Sequence, residues 1–490
     1  MLKYPIFVSL CGEKTKFSFF RKRNGPYPED IYQSIFKPQT YLLLMPIEIC
    51  TIGGYSESGK NSTAIKVDDE VVILDMGLQM ENYIRYTEDE DISGVTYEEL
   101  LKVKAVPDYN LIKDWKDKVI AIIPGHGHLD HIGAVPFAFK LFPKATIICT
   151  PFTAEVLKSI FADEEIKVPN PLVSLNLNSS YKISKKLTVE LIYMTHSIPH
   201  TAMILLHTPY GTVVYANDYK FDLHPTLGQK PNFERLKEIG KEGAKVLIVE
   251  CLYAHEHKKT PSESVAQQML KDVMMGVNAE GKAMVVTTFS SHLARLKSIV
   301  EMGKKLNRKI VFLGRSLGRY VTAGQNLNII DFKADVKLIR HRDKLEAFFR
   351  KMNKEGKEKY LLVVTGHQGE PKAMLSRMVR EELPFKFENG DLVIFSCSVI
   401  PVELNKDNRD ILERELKNKG VRIFTDIHVS GHAAREDHRD LIGYIKPQHI
   451  IPSHSGHYKA MQMAELAVEM GYEINKNVHL MEDGKRITLK

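Results

Sequence analysis

The 490-residue sequence predicts an α/β protein in which a strand-rich domain is interrupted by a second α/β domain with a parallel sheet. Three observations carry that expectation. An apolar run, VIAIIP, feeds a histidine-rich loop, PGHGHLDHIGAVP, spanning Pro124 to Pro136. Residues 255–427 alternate helical periods with short buried strands. Residues 428–490 return to strand and loop, and one of their strands again stops at a histidine, His454. The expected divisions are 1–44 for an N-terminal extension, 45–254 for the first part of the strand-rich domain, 255–427 for the insert and 428–490 for the returning part.

Length and composition set outer bounds. The chain is long enough for two large domains or about three ordinary ones. An apolar content of 43% is that of an ordinary globular protein. Cys11, Cys50, Cys149, Cys251 and Cys397 lie far apart with no C-x-x-C pair. They form neither a disulfide framework nor a zinc–cysteine site, and a reducing, cytoplasmic setting is expected. No run of 18 apolar residues occurs, so no membrane span is expected. The net charge is +7, but residues 1–44 hold a surplus of +4 and leave only +3 for the remainder. Bulk charge is therefore weak evidence for a polyanionic partner.

Taken in order, residues 1–44 mix aromatic and basic residues and lack the apolar run and cleavage site of a signal peptide. Two readings stay open: translated upstream sequence before a start at Met45, or a structured arm. From Met45 the pattern is that of a β-meander: IEICTIGG, STAIKV, a turn at Asp68 and Asp69, then VVILDMG. The loop GYSESGKN matches a phosphate loop through Gly54, Gly59 and Lys60. Asn61 stands where a magnesium-binding hydroxyl belongs, and a strand follows where a helix should start, so that reading is rejected. Asp75 ends a buried strand, where it either supports the histidine loop or caps a turn. Residues 79–117 are a polar, acidic excursion. After the histidine loop, KATIICT reads as a buried strand and TAEVLKSIFAD as a helix.

Neutral imidazoles and a carboxylate crowded at one strand end suit a borderline metal such as zinc. The i, i+2 spacing lets His126 and His128 point the same way, while Asp130 and His131 face a second ion. Further strands end at His196 and Asp218, which complete what two metals need: three imidazoles on one ion and a carboxylate able to bridge both. His200 and His207 are expected to be structural or peripheral. The strand AKVLIVEC runs into Glu250. In the insert, buried strands end in small polar loops, TTFSSH, LGRSLGR, TGHQGEP and SCSVIP, and such carboxyl-end loops are where parallel sheets bind ligands.

HGHLDH followed by His196 and Asp218 resembles the pattern of the metallo-β-lactamase superfamily. Glu250, His432 in SGHA, and His454 resemble the three later motifs of the β-CASP nucleases, and GRS, TGHQGEP and IFSCSVIP resemble the ribonuclease J family in its shorter, archaeal form. The resemblance covers Met45 to Lys490. It implies a metallo-β-lactamase αββα sandwich carrying an inserted β-CASP domain, and two zinc ions per chain. His126, His128 and His196 would hold one ion, and Asp130, His131 and His454 the other, with Asp218 bridging. It further implies a homodimer acting on single-stranded RNA as a 5′-to-3′ exonuclease, with an additional endonuclease activity left open. A histidine at position 454 is associated with RNA processing, where DNA-directed members carry valine. Three departures stand out: HSGH replaces HGE, His200 replaces a more usual Asp, and the chain is too short for the extra C-terminal domain of bacterial members.

For phosphodiester hydrolysis, Asp130 would orient the attacking water. His432, positioned by Glu250, would protonate the leaving 3′ oxygen. The plainer alternative is a buried hydrogen-bonded pair. Ser290, Ser291 and His292 at one strand end, with His428, Val429, Ser430, Gly431 and His432, would supply donors to the RNA phosphates. Arg315 and Arg319 either pair with further phosphates or line a solvated loop. The competing functions are a small-molecule hydrolase of thioesterase or lactonase type, a DNA-directed nuclease and a metal-free RNA-binding module.

Overall fold

The computed structural model describes residues 46–88, 94–340 and 342–490. The expectations for residues 1–44 and for a start at Met45 lie outside them. A seven-stranded sheet runs in the order Arg486–Leu489, Ile47–Gly53, Ser62–Val67, Glu70–Leu74, Val119–Ile123, Thr146–Cys149, Leu172–Ser174. Its first four strands pair antiparallel and the rest parallel. A six-stranded sheet runs His449–Ser453, Ala244–Glu250, Gly211–Ala216, Thr201–Thr208, Thr188–Met194, Ser179–Lys182.

Period-two alternation assigns the faces. Ile65, Val72, Leu74 and Ile148 meet Leu191, Ile204, Val213 and Ile248 in one core between the sheets. Ala64, Val71, Ile73 and Ile147 face outward into a helical layer. The outer face of the second sheet is covered by the helices Phe233–Glu242, Arg435–Ile445 and His457–Glu469. This is the αββα sandwich. The strand Ser62–Val67 follows the glycine loop directly, so no phosphate-loop helix exists there.

A third, wholly parallel sheet lies between residues 284 and 424, in the order Val336–Ile339, Lys309–Leu313, Tyr360–Val364, Met284–Thr287, Leu392–Phe395, Arg422–Phe424. Near-continuous apolar strands such as YLLVV and LVIF are what a sheet covered on both faces requires. The chain leaves the second sheet after Glu250 and re-enters it at His449–Ser453, parallel to Ala244–Glu250, with Glu250 opposite Ser453. That pairing delivers Glu250 and His454 to the same sheet end. The last strand then pairs with Ile47–Gly53 on the other sheet.

The two lobes form one compact unit. Phe152 of the first stacks on Tyr320 of the second at 6.5 Å. Arg295 is fully buried and contacts Glu263 at 2.6 and 2.9 Å. Its Nη1 donates to the carbonyls of Ser396 (2.9 Å) and Ile427 (3.1 Å), where the chain passes back toward the sandwich. Burial alone would raise the Glu263 carboxyl; His292 and Arg295 outweigh it and hold Glu263 well below the usual range. Removing one member of such a pair strands the other charge. Arg295→Met should therefore lower unfolding stability by about 3–5 kcal/mol in denaturant titrations, whereas an Arg295→Met/Glu263→Leu double variant should recover a large part of the loss.

Candidate metal centre and catalytic face

The histidine loop is held by its neighbours' backbone. The strand Val119–Ile123 ends in a short turn, and His128 caps a single helical turn, Leu129–Ile132. Met76 and Leu78 donate N–H groups to the carbonyls of His131 (2.7 Å) and Leu129 (2.9 Å), and Asn61 donates its N–H to that of Asp130 (3.1 Å). Gly77 lies so close that a Cβ there would sit 1.6 Å from the Asp130 carbonyl oxygen. Only glycine fits this crossing.

Seven side chains converge on that loop. His126, His128, His196 and Asp218 form one group, and Asp130, His131, Asp218 and His454 a second; within each, the ligand-type atoms lie within 4.8 Å of one another. Asp218 belongs to both. Its Oδ2 lies 3.5 Å from His126 Nε2 and 3.1 Å from His131 Nε2, while Oδ1 lies 3.7 Å from His454 Nε2 and, though buried, has no hydrogen-bond partner. Asp75, Asp218 and His454 all adopt left-handed backbone, with φ of 59°, 60° and 58°. Such residues cost about 1–2 kcal/mol each and cluster where a side chain must be aimed.

The outward ring nitrogens are taken up elsewhere, which orients the inward ones. His131 Nδ1 pairs with Asp75 at 2.7 Å, His196 Nδ1 donates to the Gly431 carbonyl at 2.6 Å, and His454 Nδ1 meets Asn61 Oδ1 at 2.8 Å. His128 presents Nδ1 inward and places Nε2 3.0 Å from Ser291 Oγ. Asp75 also accepts from the Gly125 N–H (2.8 Å) and the Tyr215 hydroxyl (2.8 Å). Partners of this kind fix the tautomer of metal-binding histidines. Burial holds His126 and His196 well below the ordinary imidazole range; it brings His128 to about 4, against the upward pull of Asp130 and Asp218. These three rings are held in the neutral form in which histidine binds a metal, whereas at His131 burial is outweighed by Asp218, Asp130 and Asp75, which hold that ring well above the ordinary range. The donor set, nitrogen and carboxylate oxygen in two four-residue groups, fits zinc.

Beside the centre, His432 Nδ1 lies 3.4 Å from Glu250 Oε1 and 3.9 Å from Asp218 Oδ1. The first is a charge contact, not an aligned hydrogen bond. Glu250 is fully buried and accepts from the N–H groups of Ala433 (3.1 Å) and Leu252 (3.2 Å). Burial works against a charged His432; Glu250 and Asp218 outweigh it and lift the ring to about 9.

The sequence comparisons agree with this geometry. Residues 281–412 match the family model "Ribonuclease J, beta-CASP domain", and residues 421–480 match "Zn-dependent metallo-hydrolase RNA specificity domain". The chain is 42% identical over 447 residues to ribonuclease J of Methanocaldococcus jannaschii, covering 91% of this chain and 99% of that one. It is also 42% identical to ribonuclease J of Pyrococcus abyssi over 89% of this chain and 96% of the relative. The chain belongs to the ribonuclease J family. Ribonuclease J 1 of Streptococcus pyogenes is 30% identical, with 92% of this chain spanning 76% of a longer protein. A crystal structure of an Enterococcus faecalis protein of unknown function shares the fold, with a TM-score of 0.61 at 17% identity, over 91% of this chain and all of that one.

Within this ribonuclease J fold, the insert supplies Ser290 and Ser291 at the end of Met284–Thr287. Ser290 pairs with Ser316 at 2.9 Å, and Ser291 is the partner of His128. His292 is buried: its Nδ1 accepts from the Arg295 N–H, and its Nε2 lies 3.3 Å from Glu263, so neither ring nitrogen is open to a phosphate. His428 Nδ1 is buried without a partner, and Val429 is buried. Ser430 Oγ accepts from the His432 N–H at 3.0 Å. Arg319 pairs with Asp163 across the lobes at 2.6 Å, while Arg315 is exposed in the first turn of its helix. His207 pairs with Glu190 at 2.9 Å, away from the centre. A cavity of about 390 Å³ adjoins His196 and is lined in part by Ser197, His200, Lys220 and His292.

Asn61 was not foreseen as a site residue. It contacts both His131 and His454 in the second ligand group, and nothing in its sequence neighbourhood marks it beyond a polar residue opening a buried strand. Gly431 was expected to approach RNA; in the structure its carbonyl holds His196, and a Cβ there would lie 3.0 Å from the His196 ring. Gly431→Ala should weaken zinc binding about 10–100-fold in chelator competition while leaving far-UV circular dichroism intact.

Proposed function

We propose that this protein is a two-zinc ribonuclease that hydrolyses phosphodiesters of single-stranded RNA from the 5′ end and leaves 5′-phosphate products. Its family membership makes it a metal-dependent ribonuclease in kind. The observation that carries the finer reading is Asp218: one buried carboxylate shared by two ligand groups, with His432 and Glu250 beside it. Ester hydrolysis of a small molecule would need the metals but not that additional pair.

Zinc ions bound to the two groups would lower the pKa of water and neutralise charge on the attacked phosphate. Burial alone would raise the Asp130 carboxyl; His131 and His454 outweigh it and keep it charged, so Asp130, partly exposed at the mouth of the centre, accepts a hydrogen bond from the attacking water and aims it. His432 gives a proton to the leaving 3′ oxygen. The Glu250 carboxylate, held by two backbone N–H groups, keeps the ring charged and turned toward the centre.

His128→Ala should abolish RNA cleavage while the thermal unfolding profile stays cooperative. His432→Ala should lower kcat about 10²–10⁴-fold with metal content near that of wild type by elemental analysis. Loss of zinc in that variant would make His432 a ligand and refute its role as proton donor. Matched RNA and DNA strands labelled at the 5′ end test substrate and direction together. Early release of labelled mononucleotide from RNA alone is expected, and internal fragments would sink the 5′-end assignment.

A further inference from the structure

A row of rings leads from the catalytic face to the surface and takes no part in the mechanism above. Tyr253 lies 6.0 Å from His432, centroid to centroid; His255 stacks beside Tyr253 at 6.3 Å with planes 28° apart; Tyr458 follows at 6.4 Å. Tyr458 is the most exposed large apolar side chain among the described residues, at 68%. Lys459 Nζ sits 5.7 Å over the Tyr253 ring and has no ion-pair partner among the described residues. An isolated bridge between Tyr253 and Ala434 fixes the row beside the His432 loop.

We propose that Tyr253, His255 and Tyr458, with Lys459, form a stacking surface for the bases of single-stranded RNA entering or leaving the metal centre. The proposal rests on the ribonuclease reading. Every base has a π face, so aromatic rings hold single strands without reading sequence, and an unpaired lysine among them supplies a phosphate contact. A duplex, whose bases already stack on one another, would gain nothing from such rings. The row is continuous with a group that acts on the reacting phosphate, which distinguishes it from an exposed aromatic patch for a protein partner.

Reach makes the proposal testable. Tyr458 lies three ring-to-ring contacts from His432, at the exposed end of the row, with the first and last contacts tilted at 51° and 52°. With zinc-loaded full-length protein and 5′-monophosphorylated RNA, Tyr458→Ala should raise KM about 5- to 50-fold for a long oligonucleotide, with a far smaller change in kcat. The KM for a dinucleotide should move much less. Tyr458→Phe and Tyr458→Trp keep the ring face and should restore the long-substrate value. The dissociation constant of a fluorescent oligonucleotide, by anisotropy, should rank the variants in the same order. Unchanged affinity in Tyr458→Ala, equal damage in Tyr458→Phe, or equal loss on both substrate lengths would each overturn the stacking surface. Failure of the wild type to cut RNA, with that anisotropy ranking intact, would overturn the nuclease reading alone.

Discussion

The site depends on keeping one carboxylate, that of Asp218, buried and charged between two clusters of imidazoles. Burial alone would neutralise it; His454, His131 and His432 outweigh that and hold it well below the usual carboxylate range. A bare charge in such a place costs several kcal/mol unless it is compensated. Compensation comes from elements far apart in the chain: the loop after Val119–Ile123, the end of His449–Ser453 and the His432 loop. Two of those three segments follow the insert in the chain, so the charge of Asp218 is met only in the assembled sandwich.

The insert therefore belongs to the centre itself. Ser291, at the end of one of its strands, fixes the outward nitrogen of His128, and the carbonyl of Gly431, just beyond it, fixes that of His196. Arg295 ties the same strand ends to residue 427. A displacement of the second lobe would be felt first at His128, through Ser291, because Gly431 lies in the returning part of the sandwich. The other group is held from within the sandwich, by Asp75 and Asn61. The two halves of the centre thus differ in what positions them, even though they share a carboxylate.

Much of this was legible in the sequence because strand ends were legible. Apolar runs that stop at His126, His196, Asp218, Glu250 and His454 mark positions where side chains emerge at one sheet edge, and those residue types have few other reasons to gather there. The β-meander of the first strands was legible as well. Contacts made by residues with no periodic signature were not legible. Asn61 looked only like a failed phosphate loop, Ser291 and Gly431 looked like donors to a substrate, and His292 looked available. The contact each makes was hidden because its partner lies in a segment whose approach no local pattern encodes. The ring row has the same origin: residues 253 and 255, 432, and 458 come from three separate segments, brought together by the pairing of Ala244–Glu250 with His449–Ser453 and by the Tyr253–Ala434 bridge.

That parallel pairing also explains why the Glu250–His432 pair sits apart from the two ligand-type groups. Glu250 ends its strand level with Ser453, one residue before His454, so the two side chains leave adjacent strands at the same edge. His454 turns toward Asp130 and Asp218 through its left-handed backbone, whereas Glu250 stays in the sheet and spends its oxygens on backbone N–H groups. A carboxylate satisfied in that way is a poor metal ligand and a rigid support for a charged imidazole. The different placement of these two side chains thus follows one backbone angle at the end of neighbouring strands, not the residue types alone.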